Sequence, residues 1–353
     1  MKKIFLKILI LVILVGVING LLRNFYYNRI IPYYWGDEMI AQKRNYLHEI
    51  KDSVNLLMIG SSKILSQVKP KLFDSVLNIQ AQNIHSFNFG VTGMFPPESF
   101  YLLDHLLNTD SLKPEYILFE LTWPKIIDLP NLHTRRSYYW LNLNYTIFSG
   151  KVILESRNSM GVKLWNTTTK AINLIEKEYN INLFEEYFKY KSGERDGTRM
   201  NEDSLRKQYG FRPLKFPRRP FGKPELKILE ETKTGSINAF TKNAGGAKQK
   251  YSRVYLKTLN QLITLAEERK IHLIFILPSL WKNYQYDEMV PLFQQIDYKH
   301  KIILGDYLKY PEFFSIKNLS NSSHLSPIGA ELYTKELAAR FLELKKILSP
   351  FDK

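Results

Sequence analysis

The chain contains no cysteine. That single absence excludes a disulfide framework, a thiolate-held metal and a cysteine nucleophile. Three further signatures are missing: the phosphate-cradling Walker loop, the Gly-x-Gly-x-x-Gly dinucleotide fingerprint, and His-Glu-x-x-His. The stretch "GERDG" has neither the length nor the ligands of an EF-hand. The seven histidines, at positions 48, 85, 105, 133, 272, 300 and 324, show no metal-ligand spacing, so neither metal nor other cofactor is expected. No internal repeat or low-complexity tract is visible. Acidic residues are also in short supply, with 34 Asp and Glu against 50 Lys and Arg, a formal net charge of +16.

What remains is the composition of a globular protein, 353 residues long and 44% hydrophobic, ample for a buried core. The chain opens with "MKKIFLKILILVILVGVINGLL", where Lys2, Lys3 and Lys7 precede an apolar run ending at Leu22. This pattern is that of a signal peptide or signal anchor. Counted from Ile4 the run is roughly 19 residues, near the ~20 that span a bilayer, with Lys7 able to snorkel to the headgroups. Ile18 and Gly20 match a small-x-small cleavage site poorly, so an uncleaved anchor over residues 1–24 is expected. The basic end then stays inside, and the bulk of the chain lies on the extracytoplasmic side of a cell membrane. Residues 25–52 form a juxtamembrane segment whose Tyr26, Tyr27, Tyr33, Tyr34 and Trp35 resemble an interfacial aromatic belt. An exported protein rarely meets nucleic acid, so no nucleic-acid partner is expected. An anionic membrane or an acidic envelope polymer accounts for the positive charge instead. The densest basic stretch, residues 206–227, reads equally as a solvated loop or a polyanion-facing surface.

Five short apolar runs predict strands: 53–60, 86–93, 115–121, 271–278 and 301–306. Helical patterns fall at 96–107, 254–270 and 326–346, the last with Ser326 as N-cap and Pro327 at its first position. Alternating strands and helices indicate an α/β fold with a mainly parallel sheet. Residues 131–250, aromatic, basic and rich in turns, break that rhythm and read as an insertion or cap over the sheet. The α/β domain is therefore expected to occupy 53–353.

In open α/β sheets, ligands bind beyond the carboxyl ends of strands. Three such ends carry unusual residues: Gly60-Ser61-Ser62, Asn88 to Gly93, and Glu120-Leu121-Thr122-Trp123-Pro124. His324, just before the capped last helix, is a fourth candidate. A serine nucleophile needs a base, and histidine titrates in the useful range. Taken singly, Ser62 reads as a helix cap and His324 as a structural histidine.

Together, "IGSSKI", "NFGVTG" and "NSSHLSPIGAELYT" resemble the SGNH (GDSL-like) hydrolase family, in its membrane-anchored envelope branch. The resemblance covers residues 54–124 and 254–341. It implies a three-layer sandwich, Ser62 as nucleophile, His324 as base, and the amides of Ser62 and Gly93 as oxyanion donors. The position three before His324 is Asn321, where the family usually has Asp. An Asn carbonyl can accept from the imidazole but brings no charge, which makes the histidine a weaker base. Asp306 or Glu120 are alternative carboxylates. The family's oxyanion Asn is replaced by Thr122, Trp123 or Pro124, and one lost donor costs about 100- to 1,000-fold in rate. The function implied is a membrane-anchored serine esterase or O-acyltransferase acting on ester-linked acyl groups of an envelope polysaccharide or related polymer. The alternative is a catalytically silent scaffold or binding protein in an envelope assembly.

Overall fold

The computed structural model describes residues 2–22, 38–79, 82–108, 112–122, 136–156, 158–178, 199–215, 220–242 and 252–348. The chain divides into two compact units, residues 1–41 with 126–199, and residues 42–125 with 200–353. The stretch expected as one insertion, 131–250, is thus shared, with its part from Met200 onward belonging to the second unit. The first half of the chain gives α1 (Lys2–Leu22), α2 (Glu38–Ile50), β1 (Leu56–Gly60), α3 (Ser62–Gln67), α4 (Pro70–Asn78), β2 (Ser86–Gly90), α5 (Glu98–Asn108) and β3 (Tyr116–Glu120). Then come α6 (Ser137–Trp140), α7 (Leu143–Glu155), α8 (Met160–Glu178), α9 (Glu202–Lys207), α10 (Lys223–Lys242) and α11 (Arg253–Glu268). The chain closes with β4 (His272–Leu277), α12 (Asn283–Gln294), β5 (Lys301–Ile303), β6 (Leu319–Asn321), β7 (His324–Leu325) and α13 (Pro327–Lys345).

In the first unit, α7 and α8 pack on each other, and Arg199 pairs with Glu38 at 3.0 Å. Among the described residues no helix is long and apolar enough to cross a membrane. In α1, which has 21 residues, Lys7 and Asn19 interrupt the apolar run. The aromatic segment before Glu38 lies outside the described residues.

The second unit is an α/β fold on a five-stranded sheet, every pair parallel, in the order β2-β1-β3-β4-β5. Every residue of β1, β2, β3 and β4 is buried, as continuous apolar strands covered on both faces require. Alternation sorts the side chains between two helical layers. Leu56, Met58, Leu118 and Ile274 join Phe73 of α4 and Tyr333, Leu337 and Phe341 of α13 in one cluster. On the other face Phe119 packs on Phe100 of α5 at 6.1 Å and on Phe275 at 6.0 Å, with Tyr255 of α11 5.1 Å from Phe100. The predicted cap of α13 is present, with Ser326 Oγ accepting from Gly329 N and Pro327 opening the helix.

The chain leaves β1 for β2 on one side and later enters β3 on the other. Neighbouring connections therefore diverge between β1 and β3, the kind of switch point beyond whose strand carboxyl ends open α/β sheets bind ligands. Gly60 and Glu120 stand at that point.

Candidate active site

Two adjacent serines follow β1, and the fold gives them different tasks. Ser61 is the N-cap of α3, its Oγ accepting from Lys63 N at 3.2 Å. The cap position is thereby filled, and Ser62 Oγ turns instead to His324 Nε2 at 2.8 Å. These two residues lie 262 positions apart in sequence. His324 comes from the short antiparallel hairpin of β6 and β7. Its Nδ1 is 3.0 Å from Asn321 Oδ1, and the same oxygen accepts from Ser323 N at 2.9 Å. An amide oxygen can only accept, so Nδ1 carries the proton and Nε2 presents its lone pair to the Ser62 hydroxyl. The sequence-predicted Ser62, His324 and Asn321 therefore form one continuous hydrogen-bonded chain.

The helix bearing Ser62 is held firmly. Asn88, fully buried on β2, donates to Ile64 O at 2.7 Å and Val68 O at 2.8 Å, while its Oδ1 accepts from Gly90 N at 2.8 Å. Gly90 is obligatory here, because a Cβ would drive into the backbone of Leu65. Val91 N donates to Gly60 O at 2.8 Å, which brings the loop toward Gly93 alongside the start of α3. Gly93 sits in that loop at φ +67°, a conformation that favours glycine. Lys43 of α2, fully buried, donates to Asn88 O, Gly90 O and Gly210 O at 2.8, 2.7 and 2.7 Å. It binds the end of β2 to the segment after α9.

That segment is the start of the basic stretch. Tyr209 O accepts from Asn88 N at 2.9 Å, and Arg212 N donates to Leu65 O at 3.0 Å. Arg212 Nη2 donates to Thr92 Oγ1 at 2.9 Å, and Lys215 O accepts from Ser320 Oγ at 2.8 Å. The basic run thus crosses from the β2 loop to the histidine hairpin. Residues 216–219 lie outside the described set.

The two carboxylates considered as alternatives to Asn321 are engaged elsewhere. Asp306 accepts from Leu308 N at 3.0 Å. Glu120 accepts from Ser61 N at 2.7 Å and from Ser61 Oγ at 2.9 Å. Thr122 is buried, its carbonyl accepting from Tyr255 OH at 2.7 Å, while its hydroxyl finds no partner among the described residues. Trp123 and Pro124 fall outside the described residues.

Burial, then the nearby positive charge of Lys63, lowers the His324 pKa to about 4. The imidazole is accordingly neutral at physiological pH and free to accept a proton. Burial also lowers Lys63 to about 8, against the opposing pull of Glu120, and raises the Glu120 carboxyl despite Lys63 and the bonds from Ser61. Lys63 was not anticipated from sequence. Its one signal was position, a charged residue directly after the serine at a buried strand end. Among the described residues no cluster of His, Cys, Asp and Glu could hold a metal. No family model matches the chain, and no curated protein matches it.

Proposed function

We propose that the protein is a membrane-anchored serine esterase or O-acyltransferase of the SGNH type, acting on ester-linked acyl groups of an envelope polysaccharide or related polymer. The observation that carries this reading is the Ser62–His324–Asn321 chain at the switch point of a parallel sheet. Ser62 Oγ attacks the acyl carbonyl carbon as its proton passes to His324 Nε2. Ser62 N and Gly93 N hold the resulting oxyanion. Collapse breaks the ester bond, and the leaving alcohol takes the proton from His324. Water or a sugar hydroxyl then gives its proton to the imidazole and attacks the acyl-serine, which restores Ser62 and yields a free acid or a new ester. Asn321 holds the ring and its tautomer.

The anchor is part of the proposal. Lys7 and Asn19 leave α1 short of a fully apolar span, but its 21 helical residues rise about 31 Å at ~1.5 Å each, close to a bilayer's hydrocarbon thickness. Apolar side chains are exposed all round that helix, including Leu11 at 60% and Ile13 at 56%, as lipid contact favours. Lys7 lies near one end, where its stem can carry the ammonium to the headgroups. A net charge of +16 suits an anionic membrane or polymer. The layering of the sheet unit, with helices on both faces, supports a three-layer sandwich.

A second reading, a non-catalytic scaffold on the same fold, draws on Asn321 and on the low basicity of His324. A fluorophosphonate probe decides between them. Labelling of wild type that disappears in Ser62→Ala supports the enzyme. Equal labelling of both proteins refutes Ser62 as nucleophile, and silence of folded wild type favours the scaffold.

A further inference from the structure

Two charged side chains flank Ser62 without joining its hydrogen-bonded chain. Glu120, at 1% exposure, closes β3 with both oxygens on Ser61. Gly60 makes room for it, since a Cβ there would lie 2.5 Å from Glu120 Oε2. Lys63, on the other side of Ser62, directs its ammonium at three carbonyls: Ser279 O at 2.6 Å, Leu280 O at 3.0 Å and Ser323 O at 3.1 Å. The first two belong to the exit of β4, and the third immediately precedes His324. An ammonium has three protons, and here each has an acceptor.

We propose that Lys63 and Glu120 are positioning residues that jointly set the meeting of Ser62 with His324. Glu120 fixes the backbone before Ser62, and Lys63 fastens the backbone after it to the loop that carries the histidine. The proposal rests on the reading of Ser62 and His324 as nucleophile and base. A serine has a single rotatable bond, so the position of its hydroxyl is decided almost wholly by its backbone. Displacement of a reacting group by 1 Å can cost about 100-fold in rate. Stability alone is a poor reason for the pair, because buried ions are often replaceable by apolar residues without loss. Their geometry is another matter, since an apolar side chain cannot tie three carbonyls together.

The charge of Lys63 has a second effect that a passive strut would lack. Lys63 faces Glu120 from β3 and His324 from β7, and Tyr333 of α13 feels Glu120 in turn. The lysine cation disfavours imidazolium and so lowers the basicity of His324, an electrostatic effect that a neutral strut would not have. When Lys63 deprotonates, one of its three donors is lost and the strut slackens. Labelling should therefore decline above about pH 8. An arginine at this position stays charged throughout that range.

The test uses the full chain in detergent, with a fluorophosphonate probe, thermal melting, and NMR titration of His324. The double variant Lys63→Met, Glu120→Gln should still fold, melt lower than wild type because Ser279 O, Leu280 O and Ser323 O lose their donor, and label about 100-fold more slowly. Its His324 midpoint should move up from about 4. Lys63→Arg should restore labelling to within about tenfold of wild type and keep its rate above pH 8. A folded double variant with the wild-type rate and midpoint overturns the proposal. If the double variant does not fold, an alkaline decline in Lys63→Arg identical to that of wild type overturns it. The titration is independent of acyl chemistry. Silent wild-type protein would therefore count against the proposed function, while an unmoved His324 midpoint would count against the positioning pair.

Discussion

Replacing Asn321 with Asp would convert the neutral partner of His324 into a charged one at the same place. Its oxygen lies 3.0 Å from His324 Nδ1 and 2.9 Å from Ser323 N, and both contacts need only an acceptor, so the loop keeps its bonds. A neutral hydrogen bond contributes about 0.5–1.5 kcal/mol, and one to a charged group about 1.5–3. The gain is therefore about 1–1.5 kcal/mol, with the lower figure preferred because Asn321 is exposed and water screens it. One pKa unit corresponds to about 1.4 kcal/mol, so the His324 midpoint should rise by about one unit from its value of about 4. The same energy stabilises the imidazolium that forms as Ser62 attacks, which should speed labelling by up to about tenfold. The assay is the second-order fluorophosphonate rate between pH 4 and pH 9, with NMR titration of the same samples. A variant that melts like wild type, yet changes neither midpoint nor rate, would refute the role given to Asn321.

Other tests follow from the same geometry. His324 has a folded pKa of about 4, below the ordinary 6.5, so its neutral form belongs to the fold and stability falls as pH drops from 6.5 to about 4. That loss amounts to at most about 3 kcal/mol, and denaturant titrations at pH 7 and pH 4.5 should show it in wild type but not in His324→Gln. The acid limb of labelling should likewise lie near 4, and a limb at 6.5 would contradict the burial of the ring. Gly60→Ala should destabilise by about 1–3 kcal/mol, because the new methyl meets Glu120 and Ile64 at 2.5 Å; an unchanged melting temperature would count against that packing. Removal of residues 2–22 should shift the protein from the membrane to the soluble fraction, and persistent membrane association would refute the anchor.

Much of the sheet was readable because strands buried on both faces appear as unbroken apolar runs, as in "LLMIG" and "HLIFIL". The cap at Ser326 was readable because Ser-Pro before an apolar stripe has a local cause. Strand order was not, since chain order does not say on which side of β1 each later strand is added. The residues of the Ser61–Ser62 tandem alone did not say which hydroxyl caps the helix, as either could reach the amide of a following residue, and only the family resemblance singled out Ser62. Glu120 was noticed at its strand end but considered as a partner for His324, and the fold gives it to Ser61. Lys43 was unreadable, since "AQKRNY" looks like a solvated helix face until the three carbonyls around its ammonium are seen.

That lysine also decides how much of the chain ahead of the sheet the sheet unit needs. The strand pattern begins at residue 53, which invites a cut there. Such a cut would delete α2 and leave the oxygens of Asn88, Gly90 and Gly210 without their cation, at about 1–3 kcal/mol apiece. Any shortened form of this protein should therefore start ahead of Glu38, carrying with it a piece of chain that looks like a mere connector.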